Sequence, residues 1–137
     1  MVKKVSKIVI LMMLILTMTE TCVFAAGNYH DTVIEFYTDN SGGDWSTTAR
    51  EKWDYTSSYA YNKASDCGWE VCILGSNNKN TLGNDCSVTP YQKINVGQAS
   101  YIKNYVKERS YKYARLKITP DWHYRAHIYG LWSPDSI

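Results

Sequence analysis

The chain reads as all-β: a single small antiparallel β-sandwich, or barrel-like domain, with at most one short helix. Three observations carry this. Short segments alternate between apolar and polar residues, polar turn clusters separate them, and only one segment shows helical spacing. No internal repeat and no Pro-rich or Gly/Ser linker divides the chain, so one domain is expected from about Asp31 to the end.

The first element to interpret is not part of the fold. Lys3, Lys4 and Lys7 precede an apolar run from Ile8 to Met18, and Val23-Phe24-Ala25 places small residues where a signal peptidase reads. The run is too short for the ~20 residues of a membrane-spanning helix. Residues 1–25 are therefore expected to be a cleaved secretory signal that takes Cys22 with it, and residues 26–137 an exported domain. Of the 15 Lys+Arg and 13 Asp+Glu in the full chain, the signal removes three and one, leaving twelve of each. The whole-chain charge of +2 is thus a property of the leader, and a neutral domain offers no electrostatic footprint for nucleic acid.

Asp31 to Tyr37 is rich in β-formers and ends at Asp39-Asn40-Ser41-Gly42-Gly43-Asp44, a turn cluster. Thr47 to Tyr55 and Ser58 to Lys63 both alternate, and Trp69 to Leu74 is a short apolar strand between Gly68 and Gly75. Tyr91 to Val96 suits a further strand. Ser100 to Arg109 brings Ile102, Tyr105 and Val106 to helical spacing behind a Ser100 cap, so the short helix is expected there. Tyr111 to Ile118 sets Ala114, Leu116 and Ile118 opposite Tyr113, Arg115 and Lys117. After Thr119-Pro120-Asp121, Ala126, Ile128 and Gly130 stand opposite Arg125, His127 and Tyr129. These last two segments are expected to form a C-terminal hairpin.

Chemistry-bearing motifs are few. Cys67, Cys72 and Cys86 are an odd number for an oxidising compartment. A turn centred on Lys79 would set Cys72 opposite Cys86, so that disulfide is preferred. His123 and His127 have the spacing that joins two ligands on a helix, but their neighbours favour a strand and surface histidines, with no metal expected. The Asp39 to Asp44 loop lacks the EF-hand pattern and reads as a plain turn. No nucleophile elbow, phosphate-binding glycine loop or catalytic cysteine motif occurs, so neither enzyme nor cofactor is expected.

What fills the chain instead is aromatic. Beyond the leader, Leu, Ile, Val and Phe are scarce, while all 12 Tyr and all 5 Trp remain with Phe36. Some rings must form the core. Others, with Tyr55, Tyr59, Tyr61, Tyr111 and Tyr113 the candidates, are expected on an outer face, where they could stack on a sugar or sit at a membrane interface.

Four segments resemble a known family: Thr48-Ala49-Arg50-Glu51-Lys52, Ser57-Ser58-Tyr59-Ala60-Tyr61, Tyr113-Ala114-Arg115-Leu116 and Gly130-Leu131-Trp132-Ser133-Pro134-Asp135-Ser136. They are similar to small secreted proteins of Gram-positive bacteria, the domain of unknown function 2712. A looser similarity runs to lactococcin-type bacteriocins, from which the cysteines depart. The resemblance implies no catalytic residue. The leading expectation is a secreted, non-enzymatic β-sandwich acting as a bacteriocin-like antagonist. The alternative is a module binding cell wall or other glycans through exposed Tyr and Trp. The partner in either case is extracellular, at the cell envelope, with no stable membrane span after cleavage.

Overall fold

The computed structural model describes residues 27–137; the signal read over residues 1–25 lies outside them. Ten strands follow in order: β1 Thr32–Tyr37, β2 Trp45–Ser46, β3 Arg50–Glu51, β4 Ser58–Asn62, β5 Trp69–Ser76, β6 Asn84–Asp85, β7 Gln92–Ile94, β8 Ala99–Ile102, β9 Tyr113–Pro120 and β10 His127–Ser133. Among the described residues there is no helix. The strands form two sheets with every pairing antiparallel, the sandwich that the alternation predicts. The first sheet runs β1-β10-β4-β8. In the second, β9 and β5 are central, β2 and β3 pair along one side of β9, and β6 and β7 along the far side of β5.

Strand alternation decides which residues meet between the sheets. Trp69, Val71 and Ile73 of β5 and Ala114, Leu116 and Ile118 of β9 point inward from the second sheet. Ile34, Ala60, Ile128 and Trp132 point inward from the first, and all are buried. With few aliphatics available, the indoles of Trp69 and Trp132 are the largest fully buried side chains. Trp69 is fully buried, its Nε1 donates to Ser65 Oγ at 3.1 Å, and Phe36 stacks on Trp45 with centroids 4.1 Å apart. Gly130 makes the Trp69 position possible, because a Cβ there would collide with Trp69 Cη2 and the Tyr61 carbonyl.

The structure corrects four readings of the sequence. The expected C-terminal hairpin is absent, because β9 lies in the second sheet and β10 in the first. Alternation shows that each strand has a buried face, but both sheets bury such a face in the same core. The Ser100 to Arg109 helix is replaced by β8 and a turn. Ile102 ends the strand, the Asn104 side chain holds the bend, and Val106 reaches the core without a helix. The Thr47 to Tyr55 strand shrinks to the two-residue β3, with the two-residue β2 just before it.

The fourth correction is the Cys72–Cys86 disulfide. Cys67, Cys72 and Cys86 are all buried free thiols. Cys72 pairs in register with Lys117 on the outer face of the second sheet, whereas Cys86 is a core residue packed against Gly75. Positions 72 and 75 differ by an odd number, so the two sulfurs sit on opposite faces and cannot bond. Burial pushes all three thiols up, Cys72 to about 11.

Candidate functional site

The register that turns Ile34, Ala60, Ile128 and Trp132 inward turns a set of aromatic residues outward from the first sheet. Tyr37 on β1 pairs with His127 on β10, Glu35 with Tyr129, and Val33 with Leu131 and then Tyr61 on β4. Ser133 pairs with Tyr59, which pairs with Tyr101 on β8. Six residue steps along β10 separate the His127 pair from the Ser133 pair, so the face is about 20 Å long at ~3.3 Å per residue.

The rings on it are used in two ways. At one end they form a column: Arg125 Cζ lies 5.3 Å from the Tyr37 centroid, Tyr37 stacks on His127 at 4.7 Å, His127 on Tyr129 at 6.3 Å, and Lys63 Nζ lies 5.8 Å from Tyr129. His127 Nε2 also meets Glu35 Oε1 at 3.1 Å. Rings stacked on one another offer solvent their edges rather than their faces.

At the other end Tyr59 and Tyr101 are tilted by 52° with centroids 5.6 Å apart. They open into a cleft of about 230 Å³ that is also lined by Tyr29, Asp31 and Ser136. Tyr101 is 62% exposed and Tyr29 45% exposed, so ring area faces the opening. Burial, and then the negative charge of Asp31, raise the Tyr59 phenol above its ordinary value.

A buried ion pair holds this end together. Lys52 Nζ donates to Asp135 Oδ1 at 2.7 Å, to the Thr56 carbonyl at 2.7 Å and to the Pro134 carbonyl at 2.8 Å, which satisfies all three of its protons. Asp135 Oδ2 accepts the backbone N–H of Asn28 at 2.6 Å and of Trp53 at 3.0 Å. Burial by itself would raise the Asp135 carboxyl, but the hydrogen bonds from Lys52, Trp53 and Asn28 outweigh it and hold the group below the usual carboxylate range. Around the pair, Ser58 Oγ donates to the Pro134 carbonyl, Ser136 N to Thr56 Oγ1 and Arg50 Nη2 to Asn28 Oδ1. Three of the four segments that carry the family resemblance therefore meet here. The Lys52 segment, the Ser58 segment and the Trp-Ser-Pro-Asp-Ser ending form one clasp, which fixes both chain segments that flank the cleft.

The five tyrosines singled out from the sequence do not form one patch. Tyr59 and Tyr61 lie on the outer face of the first sheet. Tyr113 lies on the outer face of the second, with the ammonium groups of Lys79 and Lys112 at 5.3 and 5.4 Å from its ring centroid. Tyr111 packs against the core and its hydroxyl accepts from Asn84 Nδ2 at 2.8 Å. Tyr55 is exposed in a separate groove beside Tyr105. The face also contains Tyr37, Tyr101 and Tyr129, outside the sequence candidates, and His127, read from sequence only as a surface histidine. Alternation did set His127 and Tyr129 opposite Ile128, and that was the available signal. His123 is not on the strand with His127: it stands in the preceding turn, against Gly42.

The architecture and this face define a class, a two-sheet antiparallel β-sandwich with one tyrosine-lined outer face. Its family model is described as "Protein of unknown function (DUF2712)", matches residues 21–136, and places the chain in that family. Neither the curated proteins nor the solved structures contain a match to this chain. Among the described residues no helix is long and apolar enough to cross a membrane.

Proposed function

We propose that the protein is exported and works outside the cell as a non-enzymatic module that binds envelope glycans through the outer face of its first sheet. The observation that carries this reading is the face itself. Among the described residues it is an uncovered row about 20 Å long, at ~3.3 Å per residue, with polar ring edges at one end and open tyrosine faces with a carboxylate at the other. Saccharides offer both hydroxyls and flat C–H surfaces, and a tyrosine combines an apolar body with a polar tip that can meet both.

The carboxylates of the cleft also favour binding over glycoside hydrolysis. That reaction uses two carboxyl groups flanking the bond. Asp135 is committed to Lys52 beneath the surface, which leaves Asp31 as the open one in the cleft.

The test is retention of the secreted protein on peptidoglycan and purified cell-wall polysaccharides. Wild type should be retained, while Tyr101→Ala and Tyr59→Ala should lose at least tenfold in affinity with the fold intact by circular dichroism. Inhibition of Gram-positive growth without glycan retention would replace this reading by that of a bacteriocin-like antagonist.

A further inference from the structure

We propose that the Tyr29, Tyr59 and Tyr101 cleft is a cage for an organic ammonium group carried by the bound polymer. The inference rests on the glycan-binding reading for its polymer but on the cleft alone for its chemistry. Three phenol rings converge there, and the two that are paired, Tyr59 and Tyr101, make a corner rather than a stack. The π-face of a tyrosine is the negative end of its quadrupole, so a corner of such faces attracts a cation.

The charged side chains that line the cleft are both acidic. Asp31 is exposed at its wall, and no lysine, arginine or histidine lines it. The other carboxylate of the lining, Asp135, is neutralised by Lys52 at 2.7 Å. Arg50 lies near enough to feel Asp31, yet its guanidinium is already engaged by Asn28 Oδ1 at 2.8 Å and the Trp132 carbonyl at 3.2 Å. Arg50 screens Asp31 in part from outside the lining, and Asp31 is the charge exposed at the cleft wall, where it pushes the Tyr59 phenol up. An anionic group would face both the carboxylate and the ring quadrupoles. A cleft of about 230 Å³ is several times the ~30 Å³ share of one water molecule, which suits a compact head group.

Two sources of such a group are distinguishable: a quaternary ammonium substituent and a protonated amino sugar. The experiment is an NMR titration of the secreted protein with tetramethylammonium, choline, glucosamine and 3,3-dimethylbutan-1-ol, the last a neutral analogue of choline's shape. Three rings and one partly screened carboxylate predict a Kd on the order of 1 mM for the preferred cation, with shifts centred on Tyr59 and Tyr101. The neutral analogue should bind at least tenfold more weakly. Asp31→Asn should weaken the cation about fivefold and Tyr101→Ala at least tenfold, while Tyr101→Phe, which keeps the ring, should retain binding.

Choline tighter than glucosamine assigns the quaternary source, and the reverse order assigns the amino sugar; either supports the cage. Equal binding of the neutral analogue, or no binding of any of the three ammonium ions, overturns it. Glycan retention that tetramethylammonium fails to compete overturns the cage and leaves the glycan reading standing. Ammonium binding without glycan retention overturns the glycan reading and leaves the cage.

Discussion

The outer faces of the two sheets are built from similar residues and finished differently. On the second sheet, Lys117 meets Asp44 at 2.6 Å, Lys93 meets Asp121 at 2.9 Å and Lys112 meets Glu51 at 3.6 Å. Arg115 donates to the Thr47 carbonyl at 2.7 Å, to the Thr81 carbonyl at 3.2 Å and to the Lys79 carbonyl, which ties the Asn77 to Gly83 loop to the sheet beside Leu74. Its outward tyrosines are engaged by lysines, Tyr113 by Lys79 and Lys112 and Tyr91 by Lys117. On the first sheet no loop of the described chain is tied down over Tyr61, Tyr101 or the Tyr37 column in this way. The same 111 described residues cover one face and leave the other open, so the uncovered rings do not follow from a shortage of polar material. That asymmetry supports the proposed binding face on the first sheet.

The sharpest way to break the comparison is through the ion pairs, because the two regions hold theirs at opposite extremes of burial. Lys52 and Asp135 have fully buried side chains. Asp135→Ala leaves a buried ammonium without its counter-charge and should lower stability by about 3–5 kcal/mol, read as a fall in the urea midpoint. It should also release Asn28 and Trp53 and so disrupt the cleft. The pH dependence has a definite sign. The folded Asp135 carboxyl lies below its ordinary value of 3.8, so its contribution is fully present above that value and is lost as pH falls through the folded one. Acid unfolding should be steep below about pH 4 in wild type and flatter in Asp135→Asn, measured by tryptophan fluorescence.

Gly130→Ala comes next. The added methyl would strike both the Trp69 ring of the opposite sheet and the Tyr61 carbonyl of the neighbouring strand. Backbone cannot give way as a flexible side chain can, so a loss on the order of 3 kcal/mol is expected. Unlike Asp135→Ala, this change should broaden the near-ultraviolet signal of Trp69 while leaving the acid limb of the stability curve unchanged.

These two positions also show what the sequence made legible. The alternation of Ala114, Leu116 and Ile118, and of Ala126, Ile128 and Gly130, correctly separates buried from outward residues. It cannot say which sheet a strand joins, since β9 and β10 bury their apolar faces in the same core from opposite sides. The misplaced hairpin and the misassigned Cys72–Cys86 pair share that cause: both require knowing the partner strand and its facing. The clasp was visible only as a resemblance, because Lys52 and Asp135 are 83 positions apart and nothing local marks either as buried. The tyrosine face was half legible. Tyr59 and Tyr61 share one side of β4, but joining them to Tyr101 and Tyr129 depends on the order β10-β4-β8.

A milder pair of changes sharpens the contrast in binding. Tyr101→Ala removes a ring 62% exposed and should leave the thermal midpoint nearly unchanged while weakening glycan binding at least tenfold. Tyr113→Ala removes the contacts with Lys79 and Lys112 and should cost about 0.5–1 kcal/mol without altering retention. Equal loss of binding in both variants would mean that the two faces are not functionally distinct.

Lys117→Ala tests how the second face is closed. Its bond to Asp44 is partly exposed, with side-chain accessibilities of 24% and 48%, so its removal should cost no more than about 1 kcal/mol. Lys117 is nonetheless the register partner of Cys72, whose thiol burial and then the charge of Asp85 hold up at about 11. In wild type a thiol reagent at pH 8 should find no fast-reacting cysteine among the three and should titrate all three only in denaturant. Truncating Lys117 opens the solvent side above Cys72 and leaves Cys67 and Cys86 in the core. Labelling should then accelerate at Cys72 alone, located by peptide mass mapping. Acceleration at all three thiols would mean that global opening, rather than the Lys117–Asp44 pair, governs access to that face.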